Sequence, residues 1–366
     1  MTVGYMDTEN FRDHLITGSD YNNGIGSFEL GKLELYLDAP LSKEIVVSTQ
    51  LNWNGDSSPT IELSYLRFQN AFGHGNVIDV GKVLNPFGNF IRRKQAQFNP
   101  LYGYPLAYDY RTNLRSDSYP TNSAELLALK GSRSRNFTHS RNSLIDGITN
   151  SSSIDGMPIL DSRYPVGLIY YSRHKNVDYY LGLTNNALSN NTSTATSKQK
   201  NVLAKIAYAR DDKLKVGVSL SAGSYLDSKV PFPTGFASDD YLQKVVGIDI
   251  SYRNKNLIIN SELISNAFES PRIAQDLRTD AYYIETQYFW TDSSYGAARV
   301  GGLKFGDISS ANGTLSTWDN DRSRIELGVG YYVNRDVLAK AFIQDTDTEG
   351  SNIKDSLYGI QLNAVF

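Results

Sequence analysis

Strict alternation of apolar and polar residues is the feature that most constrains the fold. In residues 357–366 the apolar side chains share one face, while a glycine, a glutamine and an asparagine share the other. Residues 324–333 repeat the pattern, and there the polar face carries Arg324 and Glu326. Period two is the period of a β-strand, and burying both charges in an apolar core would be costly. The pattern predicts strands with one apolar surface and one surface in water.

The same alternation recurs along the whole chain, and helical periodicity is nearly absent outside residues 122–130. Mean hydropathy is below zero, and no run approaches the length of a membrane-spanning helix. The chain has 25 tyrosines, a residue that membrane interfaces favour. Because only alternate residues of a barrel strand face lipid, these features predict an all-β fold, a closed antiparallel transmembrane β-barrel. The alternative is a soluble β-sandwich or β-propeller.

Connection lengths alternate between short and long, as they do in outer-membrane barrels with short periplasmic turns and long external loops. A count on this basis gives about sixteen strands, within roughly 14 to 18, in a single domain spanning residues 1–366. One connection, at about residues 86–165, lacks sustained alternation and is a long loop insertion. Long insertions usually carry a function, and both a constriction inside the lumen and a cap over the external mouth remain open. The short turns are at residues 39–43, 210–213, 253–256 and 334–336.

A motif of the form G-K-x-x-x-P-F-G comprises Gly81, Lys82, Pro86, Phe87 and Gly88. With its surroundings, roughly residues 27–100, it resembles the phosphate-selective porin-like (porin O/P type) superfamily of outer-membrane β-barrels. The resemblance implies that this segment closes an early strand and leads into the long loop. The alternative is a simple turn, since proline ends strand pairing and glycine relieves backbone strain.

The last strand also resembles the C-terminal assembly signal of bacterial outer-membrane barrels, which implies the barrel-assembly machinery as a partner. Its physical basis is an edge strand already patterned for pairing. The residues that carry this resemblance are Tyr358, Ile360, Leu362 and Phe366.

The long loop is basic. If it enters the lumen, its cations would favour anions at the narrowest point; if it is external, its arginines could bind lipopolysaccharide phosphates or be solvated. The candidate constriction residues of the loop are Arg92, Arg93, Lys94, Arg111, Arg115, Arg133 and Arg135. The strand residues expected on the lumenal wall include Glu34, Gln50, Asp249, Asn260, Glu262, Arg299, Arg324, Glu326 and Lys340.

Several classes of function are disfavoured. A formal net charge of -3 does not suggest nucleic-acid binding. The absence of cysteine excludes thiolate chemistry, and no sequence motif of a hydrolase or nucleotide-binding enzyme is present. The sequence therefore predicts no enzyme activity, no cofactor and no metal. The opening Met1-Thr2-Val3-Gly4 lacks a basic segment followed by an apolar one, so we expect a processed form without its signal peptide.

These features lead to the hypothesis of a passive channel for small hydrophilic solutes in the bacterial outer membrane, in contact with lipid and lipopolysaccharide. A mild anion preference would come from the basic loop. The first alternative is a scaffold or export barrel that sheathes a partner protein or passes a polymer, and a remote one is an outer-membrane lipase. A homotrimer and a periplasmic or lumenal protein partner are left open.

Overall fold

The computed structural model describes residues 1–8, 27–53, 58–131, 139–140, 156–310, 312–350 and 355–365. Its strands are β1 (Thr2–Thr8), β2 (Ser27–Pro40), β3 (Ile45–Trp53), β4 (Thr60–Gln69), β5 (Val77–Lys82), β6 (Ser118–Tyr119), β7 (His139–Ser140), β8 (Val166–His174), β9 (Val177–Thr184), β10 (Asn201–Arg210), β11 (Leu214–Ser224), β12 (Leu242–Asn254), β13 (Leu257–Phe268), β14 (Leu277–Phe289), β15 (Ser294–Phe305), β16 (Asp307–Ser309), β17 (Leu315–Thr317), β18 (Arg322–Asn334), β19 (Val337–Thr348) and β20 (Asp355–Ala364).

Sixteen of these strands form one closed barrel in which neighbours in sequence pair antiparallel. The barrel closes between the first and last strands, where Val3 is opposite Leu362. The four other strands are short and form two separate pairs, β6 with β7 and β16 with β17. The predicted all-β antiparallel fold is confirmed. The sequence predicted about sixteen strands. In the described residues, the barrel contains sixteen strands and four further strands lie outside it.

Two short α-helices lie in the described part of the long connection between β5 and β8. They are α1 (Leu106–Asp109) and α2 (Ser123–Ala128), the second within the stretch predicted to be helical. Asn122 caps α2 by accepting a hydrogen bond from the Glu125 backbone N–H at 3.0 Å, as short polar side chains commonly do at helix starts. In the part of the chain that the structure describes, no helix is long and apolar enough to cross a membrane.

The two faces of each barrel strand differ sharply in chemistry. On β13 and β14 the outward side chains include Leu263 and Ile284, which are exposed, whereas Glu262 and Glu285 point inward and are buried. Outward apolar and inward polar side chains are the pattern of a barrel that contacts lipid outside and a polar interior inside. The alternation that predicted the strands therefore also separates the two surfaces of the barrel.

Gly81 shows why the end of β5 needs glycine. Its φ is +135°, and a Cβ there would lie 2.9 Å from the Cα of Tyr65 and closer still to the Ser64 carbonyl oxygen. We expect Gly81→Ala to lower the free energy of unfolding by about 1–3 kcal/mol, because backbone strain adds to a clash with an adjacent strand. Urea-induced unfolding of the lipid-reconstituted barrel measures this change.

Gly313→Ala is the matched control, because Gly313 also has a positive φ, +82°, but has open space around the added Cβ. It should cost less than Gly81→Ala, since only backbone strain remains. Equal losses for the two variants would show that the contact with β4 does not constrain position 81.

Candidate functional site

Residues 87–110, termed here the lumenal segment, pack against the inward face of the barrel. The Lys205 Nζ donates a hydrogen bond to the Gly88 carbonyl at 2.5 Å, and the Gly88 N–H donates to the Ser219 Oγ at 3.2 Å. The Phe87 ring lies against Gly247, where a Cβ would be 2.8 Å from the ring. The chain therefore enters the lumen directly after β5 and follows the wall across β10, β11 and β12.

Glu262, on the inward face of β13, is a principal anchor of this segment. Its carboxylate accepts hydrogen bonds from the backbone N–H groups of Asn89 and Phe90, the latter at 2.7 Å, and from the Tyr108 hydroxyl at 2.6 Å. Burial raises the pKa of Tyr108 well above its ordinary value, and the nearby carboxylate adds to the shift. Tyr108 therefore keeps the proton that it donates, and one strand residue holds two distant parts of the segment.

A buried network of alternating charges continues the attachment. The Arg299 guanidinium lies 2.6 Å from the Glu285 carboxylate and 2.7 Å from the Glu326 carboxylate. Glu285 also pairs with Arg93 of the lumenal segment at 2.5 Å. Arg299 donates further hydrogen bonds of 2.8 Å to the Asn99 side chain and to the Gly103 carbonyl. Buried charges are tolerated only when they are paired and hydrogen-bonded, and here the pairing joins β14, β15 and β18 to the segment.

The last part of the lumenal segment is held by two more wall cations. Arg324 pairs with Asp109 at 2.6 Å. Lys340 donates to three backbone carbonyls of the segment at 3.0 to 3.2 Å, those of Ala96, Asn99 and Leu101. These cations satisfy carbonyl groups that have no strand partner, which is a common requirement of buried backbone.

The candidate cations of the loop differ in their surroundings. Arg93 pairs with Glu285, and the Lys94 Nζ contacts the Glu62 carboxylate. Burial lowers the pKa of Lys94, and the negative charge of Glu62 opposes that shift. Arg115 pairs with Asp117 at 2.8 Å. The charges of these three cations are thus largely compensated locally, and their part in a constriction stays a prediction.

Arg92 is the candidate cation with the most open surroundings. It is exposed, and its guanidinium carbon lies 4.9 Å from the centre of the Tyr180 ring on β9. Arg111 is half-buried and forms an isolated β-bridge with Pro158. Arg133 and Arg135 lie outside the described residues. Of the candidate loop cations that are described, Arg92 is thus the one best placed to meet a solute in the lumen.

The inward face of the other wall keeps contact with solvent. Tyr36 on β2 is 49% exposed, and Arg67 on β4 is 37% exposed while pairing with Asp79 on β5 at 2.8 Å. Gln50 on β3 is buried and donates to Glu34 on β2 at 2.8 Å. The polar side chains of β2 to β5 thus form a wetter wall than β12 to β15, whose inward residues the lumenal segment covers.

The lumen is not polar throughout. Leu203, Val245, Ile264 and Leu303 point inward and pack in one apolar cluster with residues of the long connection. Trp318, after β17, belongs to this cluster and is fully buried. Burial of these side chains in a close-packed core stabilises the folded connection. An apolar core of this kind was not part of the sequence prediction.

The motif residues have roles that the structure makes explicit. Gly81 and Gly88 have positive φ values, and Phe87 is buried on the wall. Pro86 is buried, and the Lys82 Nζ donates to the Ile61 carbonyl at 2.7 Å. They lie where the chain turns from β5 into the lumen, and the family role of this motif stays a prediction. In the last strand, Tyr358, Ile360 and Leu362 are exposed on the outward face; Phe366 lies outside the described residues, and the assembly signal stays a prediction.

Solved structures of outer-membrane proteins resemble this arrangement over its whole length. The DcaP channel of Acinetobacter baumannii matches with a TM-score of 0.61 at 10% identity, covering 100% of this chain and 95% of that chain. An anion-selective porin from Comamonas acidovorans matches with a TM-score of 0.59 at 11% identity, covering 100% and 99%. OmpT of Vibrio cholerae, an outer membrane protein, matches with a TM-score of 0.56 at 11% identity, covering 100% and 97%.

The fold is that of the outer-membrane porins. No family model matches the sequence, and no curated protein matches it. At identities near one residue in ten, these similarities establish the porin fold alone. The phosphate-selective type that the sequence resembles is therefore not established by them.

Sequence reasoning identified the wall residues but not what they bind. Glu262, Arg299, Arg324, Glu326 and Lys340 were all expected to line the lumen, and the structure places them on its inward face. Their partners in the lumenal segment were missed, because a one-dimensional pattern does not show pairing across the barrel. Glu285 was missed although it sits at an inward position of β14, where the alternation itself could have revealed it.

Proposed function

We propose that this protein is an outer-membrane channel through which small hydrophilic solutes diffuse passively. The observation that carries the proposal is the asymmetry of the lumen: a folded segment is fixed to one wall by Glu262 and the Arg299 network, while Tyr36 and Arg67 on the other wall remain exposed. A polar wall beside a fixed segment is suited to a size-limited aqueous path. The porin fold supports the same proposal.

The proposed mild anion preference rests on Arg92. The Arg92 side chain is exposed and its guanidinium lies over the Tyr180 ring, so its charge can act on solutes. The other cations, Arg93, Lys94 and Arg115, are paired with carboxylates. A charge in a channel with low-dielectric walls acts strongly on passing ions. The phosphate-selective resemblance, lipopolysaccharide contacts and a homotrimer remain predictions of the sequence.

We expect Arg92→Gln to reduce the ratio of chloride to potassium permeability by roughly twofold, because one exposed cation is lost from the path. The measurement is the reversal potential of the purified barrel in a planar bilayer under a salt gradient. The unfolding free energy should stay nearly unchanged, since exposed charges contribute little to stability.

Two matched controls accompany this variant. Arg335→Gln removes an exposed cation from a short turn, and Arg115→Gln removes a buried one that pairs with Asp117. Neither should change ion selectivity as Arg92→Gln does. If all three variants shift the reversal potential equally, the preference reflects net charge and not the position of Arg92.

The scaffold or export barrel is a second candidate, favoured by the apolar cluster that fills part of the lumen around Leu203, Val245 and Ile264. A channel needs a continuous water-filled path through the lumen, whereas a barrel that sheathes a partner protein does not. A barrel that inserts into the bilayer but shows no conducting steps over a wide voltage range would support this candidate over the channel.

A further inference from the structure

A cavity lies at the short-turn end of the lumen, beside the ion pair between Arg93 of the lumenal segment and Glu285 on β14. Its volume is about 360 Å³, within the size range of small-molecule sites. It is bounded by the turns that connect β10 to β11 and β12 to β13. The residues that line it are Arg93, Phe98, Arg173, Ala209, Asp212, Lys213, Leu214, Lys215, Ser251, Tyr252, Arg253, Ile258, Asn260 and Gln287.

The cavity carries an excess of positive charge. Arg93 is compensated by Glu285, and both Arg173 and Lys215 pair with the single carboxylate of Asp178. Five lining cations thus face three carboxylates, counting Asp212 in the lining, which leaves an excess of two positive charges.

Lys213 and Arg253 contribute to this excess. Both side chains are exposed at adjacent turns. The backbone N–H of Arg253 donates a hydrogen bond to the backbone carbonyl of Lys213 at 2.7 Å, which holds the two turns together. Neither has an ion-pair partner among the residues that the structure describes. A guanidinium and an ammonium on one cavity wall can bind a carboxylate at two points.

The same cavity presents apolar surface. Phe98, from the lumenal segment, is 56% exposed, and Ala209 and Ile258 line the cavity from β10 and β13. A phenylalanine held in a polar lumen gains by contact with an apolar ligand, since that contact removes surface of both from water. A site for inorganic anions alone would need no such ring.

We propose that this cavity binds small organic carboxylates with an apolar ring, Lys213 and Arg253 holding the carboxylate and Phe98 packing on the ring. The inference rests on the proposed channel function, because the cavity would then lie on the path of solutes at the end of the barrel that has the short turns. It adds a site of solute recognition at the short turns to the anion preference proposed for Arg92.

Isothermal titration calorimetry of the full chain in detergent micelles tests the site with benzoate as the probe. We expect saturable binding of benzoate that is at least about tenfold tighter than that of benzamide, which has the ring without the charge, or of inorganic phosphate, which has charge without the ring. Equal affinity for benzamide, or for phosphate, would overturn the proposal.

Variants then locate the binding. Lys213→Gln with Arg253→Gln, and separately Phe98→Ala, should each weaken benzoate binding about tenfold or more. The matched control, Lys255→Gln with Arg335→Gln, removes two exposed short-turn cations that do not line the cavity, and this variant should bind benzoate as the parent does. If the cavity variants bind benzoate unchanged, the site lies elsewhere and the inference fails.

A planar bilayer separates this inference from the channel proposal. If the channel conducts, benzoate added on the side of the short turns should reduce chloride current saturably, and the Lys213→Gln, Arg253→Gln variant should lose that effect. Conductance without saturable binding of benzoate would contradict the proposed binding site and leave the channel proposal intact. Calorimetric binding of benzoate by a barrel that never conducts would contradict the channel proposal and leave the binding site intact.

Discussion

Replacing Arg299 by methionine is expected to lower the free energy of unfolding by about 3–5 kcal/mol, because it leaves buried carboxylates without their cation. Arg299 is 1% exposed and lies between Glu285 and Glu326. Methionine keeps much of the side-chain length, so the loss reports charge and hydrogen bonding more than a cavity. Urea-induced unfolding in lipid vesicles, followed by tryptophan fluorescence, measures it.

A second variant tests the physical reason. Adding Glu326→Gln to Arg299→Met removes the carboxylate that loses its ion-pair partner, while Glu285 still has Arg93 as its partner. The double variant should therefore be more stable than Arg299→Met alone. If it is less stable, the effect of Arg299 arises from packing and not from uncompensated charge.

Lys304→Met is the matched control on the same strand. Lys304 pairs with Asp321, but its side chain is 65% exposed, and exposed ion pairs contribute little to stability. Its unfolding curve should overlie that of the parent. A loss as large as that of Arg299→Met would mean that β15 tolerates no change of charge at either position.

The barrel strands were predictable because their information is local. In β18, inward Arg324 and Glu326 alternate with outward Ile325 and Leu327. The charged side chains indicate the polar interior and the apolar side chains indicate lipid, and neither inference requires knowledge of a distant residue. Short turns such as residues 253–256 were found for the same reason. Each step needed only the period of a strand and the cost of burying a charge.

The anchoring of the long connection was not predictable because its information is not local. The hydrogen bond between Phe90 and Glu262 joins residues 172 positions apart, and that between Asn99 and Arg299 joins residues 200 apart. Sequence shows that Arg93 and Lys94 are cations, but not that Glu285 and Glu62 meet them in the lumen. A basic stretch was therefore interpreted as a positive surface, whereas much of its charge is compensated across the barrel.

The cavity at the short-turn end is a second feature that the local sequence could not predict. Lys213 and Arg253 were assigned to turns, where charged residues normally serve solubility. They gain a common environment only because β11 and β12 pair along their whole length, with Lys215 opposite Ser251. The position of a turn follows from sequence, but the residues that gather around it follow from the register of neighbouring strands.

Replacing Glu262 by leucine is expected to release the first half of the lumenal segment from β13. Three buried donors would lose their acceptor, the backbone N–H groups of Asn89 and Phe90 and the Tyr108 hydroxyl. An unsatisfied buried donor costs about 1–3 kcal/mol, so the loss of three acceptor contacts should lower the free energy of unfolding by about 3–9 kcal/mol. Urea-induced unfolding measures the loss, and Tyr108→Phe, which removes one donor, should cost only about 1 kcal/mol.

The conductance of the Glu262→Leu variant connects this anchor to function. If the segment limits the path, its release should raise the single-channel conductance and increase current noise, because residues 87–110 would no longer be fixed to one wall. Glu262→Gln retains an acceptor oxygen and the side-chain volume, so both its stability and its conductance should lie between those of the parent and the leucine variant. Lower stability with unchanged conductance would show that the path does not pass beside the segment, and that Glu262 stabilises the barrel without setting the size of what crosses it.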